Sequence, residues 1–361
     1  MNILQMISSP ASGGAEVYVK DLAISLSKEG HKLHVAFLSS ASDIDRDVEY
    51  EKEFIKDLQN FGVTTYIIGN ETRKKPWLGI SRLRSYVLNN NIEICHTHLA
   101  YGIIFSLLLT KPVVYTHHSI KPRWNKITYN FFNLIVDRYI GISEICAEAL
   151  QNYSGKKVVR IRNAVSINKF SKYRRERVLG GKVVVAMVGR ISAQKDYMNM
   201  LRAINLLDCN IRNRLKIIIA GEGDITYKEE LLYYIKINNL SDLVEFVGIK
   251  NNIPKFLYEA DIFLMSSSYE GLPIALIEAS ISGLPCIVTD VGGCSEIIKN
   301  SNNGVCVPPH SPQSLAYELT RFLLEDEVLE VFSKNAINNS HIYSIDNAKN
   351  LHMNLYTSLI K

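Results

Sequence analysis

Short apolar runs, rich in β-branched and aromatic residues, recur along the chain and are separated by longer amphipathic stretches. In the first half they are MNILQMI, KLHVAFL, TTYIIG, IEICHTH, KPVVYTH and RYIGIS. In the second half they are KVVVAMVG, LKIIIAG, VEFVG, DIFLMSS and LPCIVTD. Between them, residues 16–30, 47–61, 196–207 and 227–239 have helical spacing. Short strands alternating with helices predict βαβ units and parallel sheets. The alternation lapses at FSKYRRERVLGGK, residues 170–182, a basic and polar stretch that ends in Gly-Gly and reads as a linker. Each half then has five or six strands, enough for one doubly wound domain. Residues 346–360 form a last helix with no strand after it.

Composition narrows this picture. A chain of 361 residues is long enough for two domains, each with its own core. A hydrophobic fraction of 47%, a charged fraction of 21% and a mean hydropathy of +0.01 exclude a disordered or fibrous chain. The longest apolar run, residues 102–109, falls far short of the roughly 20 residues a spanning helix needs. The start, MNILQMISS, has neither the basic segment nor the small-residue cleavage site of a secretory signal. The six cysteines form no C-x-x-C pair and read as reduced core thiols of a cytoplasmic protein. The net charge of +5 is polarised: residues 1–177 hold 25 Lys and Arg against 16 Asp and Glu, and residues 178–361 hold 16 against 20. The basic half has no nucleic-acid recognition motif, so no nucleic-acid partner is expected.

Three stretches carry chemistry. In SSSYEGLPIALIEA a strand ends, the chain turns at Gly271, and Pro273 stands where a helix would begin. Backbone amides over Gly271, Leu272, Pro273 and Ile274, at the positive end of a helix dipole, would form an anion site suited to phosphate. Glu270 and Glu278 flank it and suit hydroxyl-rich groups such as a sugar and a ribose. In KVVVAMVGRISAQKD, Arg190 and Lys195 lie just past a strand's carboxyl end and could together neutralise a diphosphate. In MNILQMISSPASGGAE, Gly13 and Gly14 let the backbone approach a ligand at a helix start. The dehydrogenase fingerprint is absent, because the glycines are adjacent and KLHVAFLSS does not end in the ribose-binding acid.

Together these residues resemble the family 4 retaining glycosyltransferases of GT-B fold, and the resemblance runs along almost the whole chain. It implies two Rossmann-like domains facing a cleft: an acceptor domain over residues 1–170, a linker at 171–182, a nucleotide-sugar domain over 183–345, and a helix at 346–361 that crosses back. By resemblance, Glu270 contacts the donor sugar, Glu278 holds the ribose, and Arg190 and Lys195 clamp the diphosphate. Gly13 and Gly14 face the donor phosphate, Glu16 is the acid that follows them, and His118 of VVYTHHS reaches the donor sugar. IAGEGD, FVG and TDVGGCSEII match further family signatures.

Two departures stand out: Ala164 replaces a glycine and would bear backbone strain, and Asp196 follows the clamp lysine where glycine is usual. The resemblance further implies a UDP-sugar or other nucleotide-sugar donor, no cofactor and no required metal. The acceptor would be a glycan or an undecaprenyl-linked saccharide in bacterial surface-polysaccharide assembly. The D-x-D at Asp43 and Asp45 reads as a solvated helix start rather than a metal site. The cations and aromatics of residues 73–77 and 121–138 suit contact with an anionic membrane surface, on the inner face of the plasma membrane. The rival readings are a silent sugar-nucleotide-binding protein and another GT-B enzyme, such as a sugar-nucleotide epimerase.

Overall fold

A computed structural model describes residues 1–11, 13–171 and 182–360. It divides into two compact units, Met1–Val165 with Ser344–Lys361, and Ser166–Tyr343. The expected linker lies outside the described residues, apart from its end positions 171 and 182. The first unit closes on itself where the chain departs and returns, at a parallel bridge between Val165 and Ser344.

The first unit holds a seven-stranded sheet: β1 Asn2–Ile7, β2 Lys32–Phe37, β3 Thr64–Ile67, β4 Ile94–Thr97, β5 Val113–His117, β6 Arg138–Gly141 and β7 Val158–Arg160. Its order is β3-β2-β1-β4-β5-β6-β7, with every pairing parallel. The second unit holds six strands: β8 Val183–Val188, β9 Leu215–Ala220, β10 Val244–Phe246, β11 Ile262–Met265, β12 Cys286–Thr289 and β13 Gly304–Val307. Its order is β10-β9-β8-β11-β12-β13, again all parallel. This is the doubly wound pattern twice over, the GT-B fold.

The central strands are buried on both faces and therefore read as unbroken apolar runs; β1 and β2 are buried along nearly their whole length. β7 and β13, the last strand of each sheet, went unseen in the sequence. They are edge strands of three and four residues, half-buried, with too little apolar signal to stand out. Helices pack on both faces. Ile345–Ile360 rests on Gly14–Ser27 of the first unit and buries His352 and Tyr356 there.

Several local expectations change. Ala164 is buried and keeps a negative φ, so it carries no strain. Asp196 does adopt the left-handed conformation, at φ 44°, that glycine would fill more easily. The short polar side chain compensates by capping Tyr197–Leu206, accepting from the Asn199 N–H at 3.2 Å. Asp43 and Asp45 lie in and beside a 3-10 turn, and the helix cap nearby is Asp47, which accepts from the amides of Glu49 and Tyr50.

Candidate functional site

In the second sheet the strand order reverses between β8 and β11. The loops from two adjacent carboxyl ends diverge at such a point and leave a crevice for a ligand. The clamp residues follow β8 and Glu270 follows β11, so both loops meet there. Lys195 Nζ donates to Glu270 Oε1 at 2.6 Å, and Ser267 Oγ donates to the same oxygen at 2.7 Å. The Lys195 and Glu270 side chains are only 16% and 8% exposed. The backbones are stitched as well. Ser268 N–H donates to the Gln194 carbonyl at 2.8 Å, Gln194 Nε2 to the Tyr269 carbonyl at 3.0 Å, and Ser266 Oγ to the carbonyls of Lys195 and Asp196. Arg190 stands exposed on the same loop. The serine contacts were missed in the sequence; three consecutive serines directly after a strand were the available signal.

Helix Ile274–Ile281 begins beside Glu270. Its N-cap, Pro273, is extended and offers no side-chain cap, so the helix start keeps its positive dipole end. Pro273 has no amide hydrogen, so the expected cradle reduces to the amides of Gly271, Leu272 and Ile274. The Leu272 and Ile274 side chains are buried and serve packing. Gly293 N–H holds the Gly271 carbonyl at 2.8 Å. A Cβ on Gly293 would lie 2.5 Å from that carbonyl oxygen and 2.6 Å from Leu272 Cδ1, so only glycine permits the approach. Glu278, largely buried, sits one turn inside the helix.

The first unit has the equivalent reversal between β1 and β4. Gly13 and Gly14 follow β1 and start helix Gly14–Ser27, again without a side-chain cap. Glu16 folds back against Gly13, where a Cβ would collide with its carboxylate, and accepts from Ser8 Oγ at 2.8 Å. It therefore braces the glycine loop.

His118, just past β5, meets His98, just past β4, with 2.9 Å between His118 Nε2 and His98 Nδ1. His98 Nε2 donates to Gln5 Oε1 at 2.7 Å, so His98 is a core histidine with both nitrogens engaged. His96 bonds Tyr356 OH at 2.6 Å and Thr116 Oγ1 at 2.7 Å. Burial keeps all of these imidazoles neutral. His118 is pushed down to about 3, with repulsion from His117 and His352 adding to burial. Burial also lowers His117 to about 4, and His96 and His98 well below the usual value. Among the described residues no group of three His, Cys, Asp or Glu is placed to hold a metal ion.

The model of Glycosyltransferase Family 4 matches residues 12–169, and that of Glycosyl transferases group 1 matches residues 169–339. The chain belongs to glycosyltransferase family 4. An Escherichia coli relative, UDP-Gal:alpha-D-GlcNAc-diphosphoundecaprenol alpha-1,3-galactosyltransferase, is 28% identical over 73% of this chain and 76% of its own length. A Campylobacter jejuni relative, GalNAc-alpha-(1->4)-GalNAc-alpha-(1->3)-diNAcBac-PP-undecaprenol alpha-1,4-N-acetyl-D-galactosaminyltransferase, is 25% identical over 94% of this chain and 92% of its own. Among solved structures, Anabaena HepE in complex with UDP and glucose superposes with a TM-score of 0.83 at 19% identity, over 99% of this chain and 100% of that one.

In this glycosyltransferase the remaining signatures shape the floor under the loop of Arg190 and Lys195. Gly221 has φ 142°, and a Cβ there would overlap the Gly189 carbonyl. Its N–H donates to the Gly248 carbonyl at 2.9 Å, joining IAGEGD to FVG. Gly223 lies flat against Ile191 in a parallel bridge. Thr289 Oγ1 donates to the Ser267 carbonyl at 2.6 Å, so TDVGG fixes the Glu270 loop from below.

Proposed function

We propose that this glycosyltransferase moves a sugar, with retention at the anomeric carbon, from a nucleotide diphosphate sugar to a glycan or undecaprenyl-linked acceptor in bacterial surface-polysaccharide synthesis, with UDP-sugars the first choice of donor. The observation that carries this reading is the buried Lys195–Glu270 pair beside an uncapped helix start, at the point where the strand order reverses. Cations and amides suit the diphosphate, and the two carboxylates suit hydroxyls on either side of it. The names of the E. coli relative and the HepE complex favour uridine and a lipid-linked acceptor.

In the proposed step, the bond from the anomeric carbon to the diphosphate oxygen breaks. The acceptor oxygen bonds that carbon on the same face and its proton passes to the departing phosphate. Arg190, Lys195 and the amides beside Pro273 stabilise the charge that builds on the leaving group. Their positive charge takes the role a metal would have, so no metal is required.

A panel of UDP-, GDP- and ADP-sugars, screened by thermal shift and nucleotide release with EDTA present, tests the reading. Stabilisation and release with one donor class are expected; no binding to any donor, or release that needs an added divalent ion, overturns it. Glu278→Ala should raise the nucleotide Kd about ten- to a hundredfold, the cost of one or two hydrogen bonds to a charged group, with the fold intact by circular dichroism. Unchanged affinity would remove Glu278 from the ribose site.

We further infer a peripheral contact with the membrane. No helix among the described residues is long and apolar enough to cross one. The first unit exposes Trp77 (63%), Leu108 (52%), Ile127 (79%) and Leu134 (82%) among its basic residues. A groove of about 450 Å³ is lined by Trp77, Arg84, Leu88 and Leu108. Of the four aromatics of the 121–138 stretch, Tyr129 and Phe132 are core, Trp124 packs against that core, and Phe131 is exposed. The protein should float with anionic vesicles at low salt and less so after Trp77→Ala; absence of flotation at low salt would end this part of the proposal.

A further inference from the structure

We propose that His310, in the connection from β13 to helix Pro312–Leu324, is a positioning residue for sugar transfer: through its bond to Asp196 it holds the loop that presents Lys195. The catalytic half rests on the reading above that Lys195 stabilises the leaving diphosphate.

His310 Nδ1 donates to Asp196 Oδ2 at 2.7 Å, across 114 positions of sequence. A carboxylate only accepts, so Nδ1 carries the proton. In the sheet β13 stands three places from β8, and loops that stayed above their own strands would keep these two residues apart. Helix Pro312–Leu324 instead packs along helix Tyr197–Leu206, and His310 and Asp196 stand at the two helix starts. Leu315 and Leu319 of the first helix share one core with Met200 and Ile204 of the second.

Both partners sit in the left-handed region, Asp196 at φ 44° and His310 at φ 54°. Among the described residues His310 is the one non-glycine at positive φ that is neither Asn nor Asp. Such a conformation costs free energy and persists where contacts hold it. The His310 side chain is 64% exposed, so burial does not account for the conformation, whereas the bond to Asp196 does. Pro308, Pro309 and Pro312 stiffen the chain on either side. At Asp196 the effect reaches the site. Its Oδ1 accepts from the Asn199 N–H at 3.2 Å and its Oδ2 from His310, so the carboxylate is fixed at both oxygens. Ser266 Oγ holds the Lys195 carbonyl at 3.0 Å and the Asp196 carbonyl at 2.9 Å. The backbone behind the Lys195–Glu270 bond is thus held from the β11 loop on one side and from the β13 loop on the other. Without His310 the second hold is lost, and relaxation of Asp196 toward negative φ turns the adjoining Lys195.

Glycine fits φ 54° without strain, so His310→Gly removes the bond and should keep the fold by thermal melt and circular dichroism. Hydrogen exchange by mass spectrometry on the ligand-free full chain should then show peptides covering residues 193–199 exchanging about fivefold faster, the worth of one partly exposed hydrogen bond to a charged group, with β8 unchanged. In donor turnover the variant should lose about fivefold in kcat with the donor KM within about twofold, as expected of a group that acts on charge built in the transition state. His310→Asn should restore both, because Asn tolerates positive φ and its Nδ2 stands where Nδ1 was. Asp196→Gly makes the same test from the partner side, also where His310→Gly does not fold, and the double glycine variant should be no slower than the slower single. Unchanged exchange, unchanged kcat, an Asn variant as slow as the glycine one, or single effects that multiply in the double variant each overturns the proposal. A chain that shows the predicted exchange but turns over no nucleotide sugar refutes the functional reading and leaves the His310–Asp196 strap standing.

Discussion

Lys195→Ala should lower kcat by about 10²–10³-fold, the usual effect of removing one preorganised group that stabilises a leaving charge. It should also destabilise the second unit, and the two effects can be separated. Lys195 is the cation bonded to a Glu270 carboxylate that is 8% exposed, and the neutral Ser267 hydroxyl donates to the same oxygen. Deleting one partner of a buried pair leaves an uncompensated charge, at a cost of about 3–5 kcal/mol. The double variant Lys195→Ala, Glu270→Gln removes that charge and should recover most of the lost stability while turnover stays low. Thermal melts and donor turnover on the four proteins of this cycle read both quantities. If turnover returned with stability in the double variant, Lys195 would be structural and the diphosphate clamp would reduce to Arg190.

Acidification should unfold the first unit well before the second. Of nine histidines, seven lie in the first unit and only His310 and His341 in the second. Five of the seven, His96, His98, His117, His118 and His352, are held neutral by burial. Their folded pKa values lie below the unfolded value of about 6.5, so the unfolded chain binds more protons as pH falls. Their contribution to stability is complete above about pH 6.5 and is lost as pH drops toward the folded values, near 3 for His118 and His352 and near 4 for His117. At pH 5 His117, His118 and His352 each cost about 2 kcal/mol, and the lowered His96 and His98 act in the same direction, against a domain stability of about 5–15 kcal/mol. Both tryptophans, Trp77 and Trp124, belong to the first unit, so their fluorescence reports it alone. The urea midpoint seen by tryptophan should fall steeply from pH 7.5 to 5. A midpoint that is flat over this range would mean the imidazoles are not buried as described.

Much of the fold was legible because the central strands are buried on both faces and leave unbroken apolar runs, as KVVVAMV does for β8. β7 and β13 escaped because edge strands need only a few half-buried residues. The clamp and the two glutamates were legible because they are local: a strand end, a turn and a helix start within fifteen or so residues. What holds them was not. Ser267 on Glu270 is three residues away, but its role depends on a carboxylate oxygen already claimed by Lys195, 75 positions earlier. The imidazole chain was further out of reach, since Gln5 and Tyr356 are separated by 351 positions. The strain expected at Ala164 failed because a family's glycine was read as a demand on φ, whereas Asp196 shows a position where that demand is real and an aspartate meets it.

The helix Ile345–Ile360 has a consequence for biosynthesis. As the chain leaves the ribosome, the seven-stranded sheet emerges first but lacks the helix that caps Gln5, His96 and Tyr18 with Tyr356 and His352. The whole second unit must be made before that helix exists. Until then the nascent first unit exposes a polar, histidine-lined cavity in place of a finished core. Its final closure is a set of contacts between residues 260 to 351 positions apart, the kind that forms late and that folding intermediates lack.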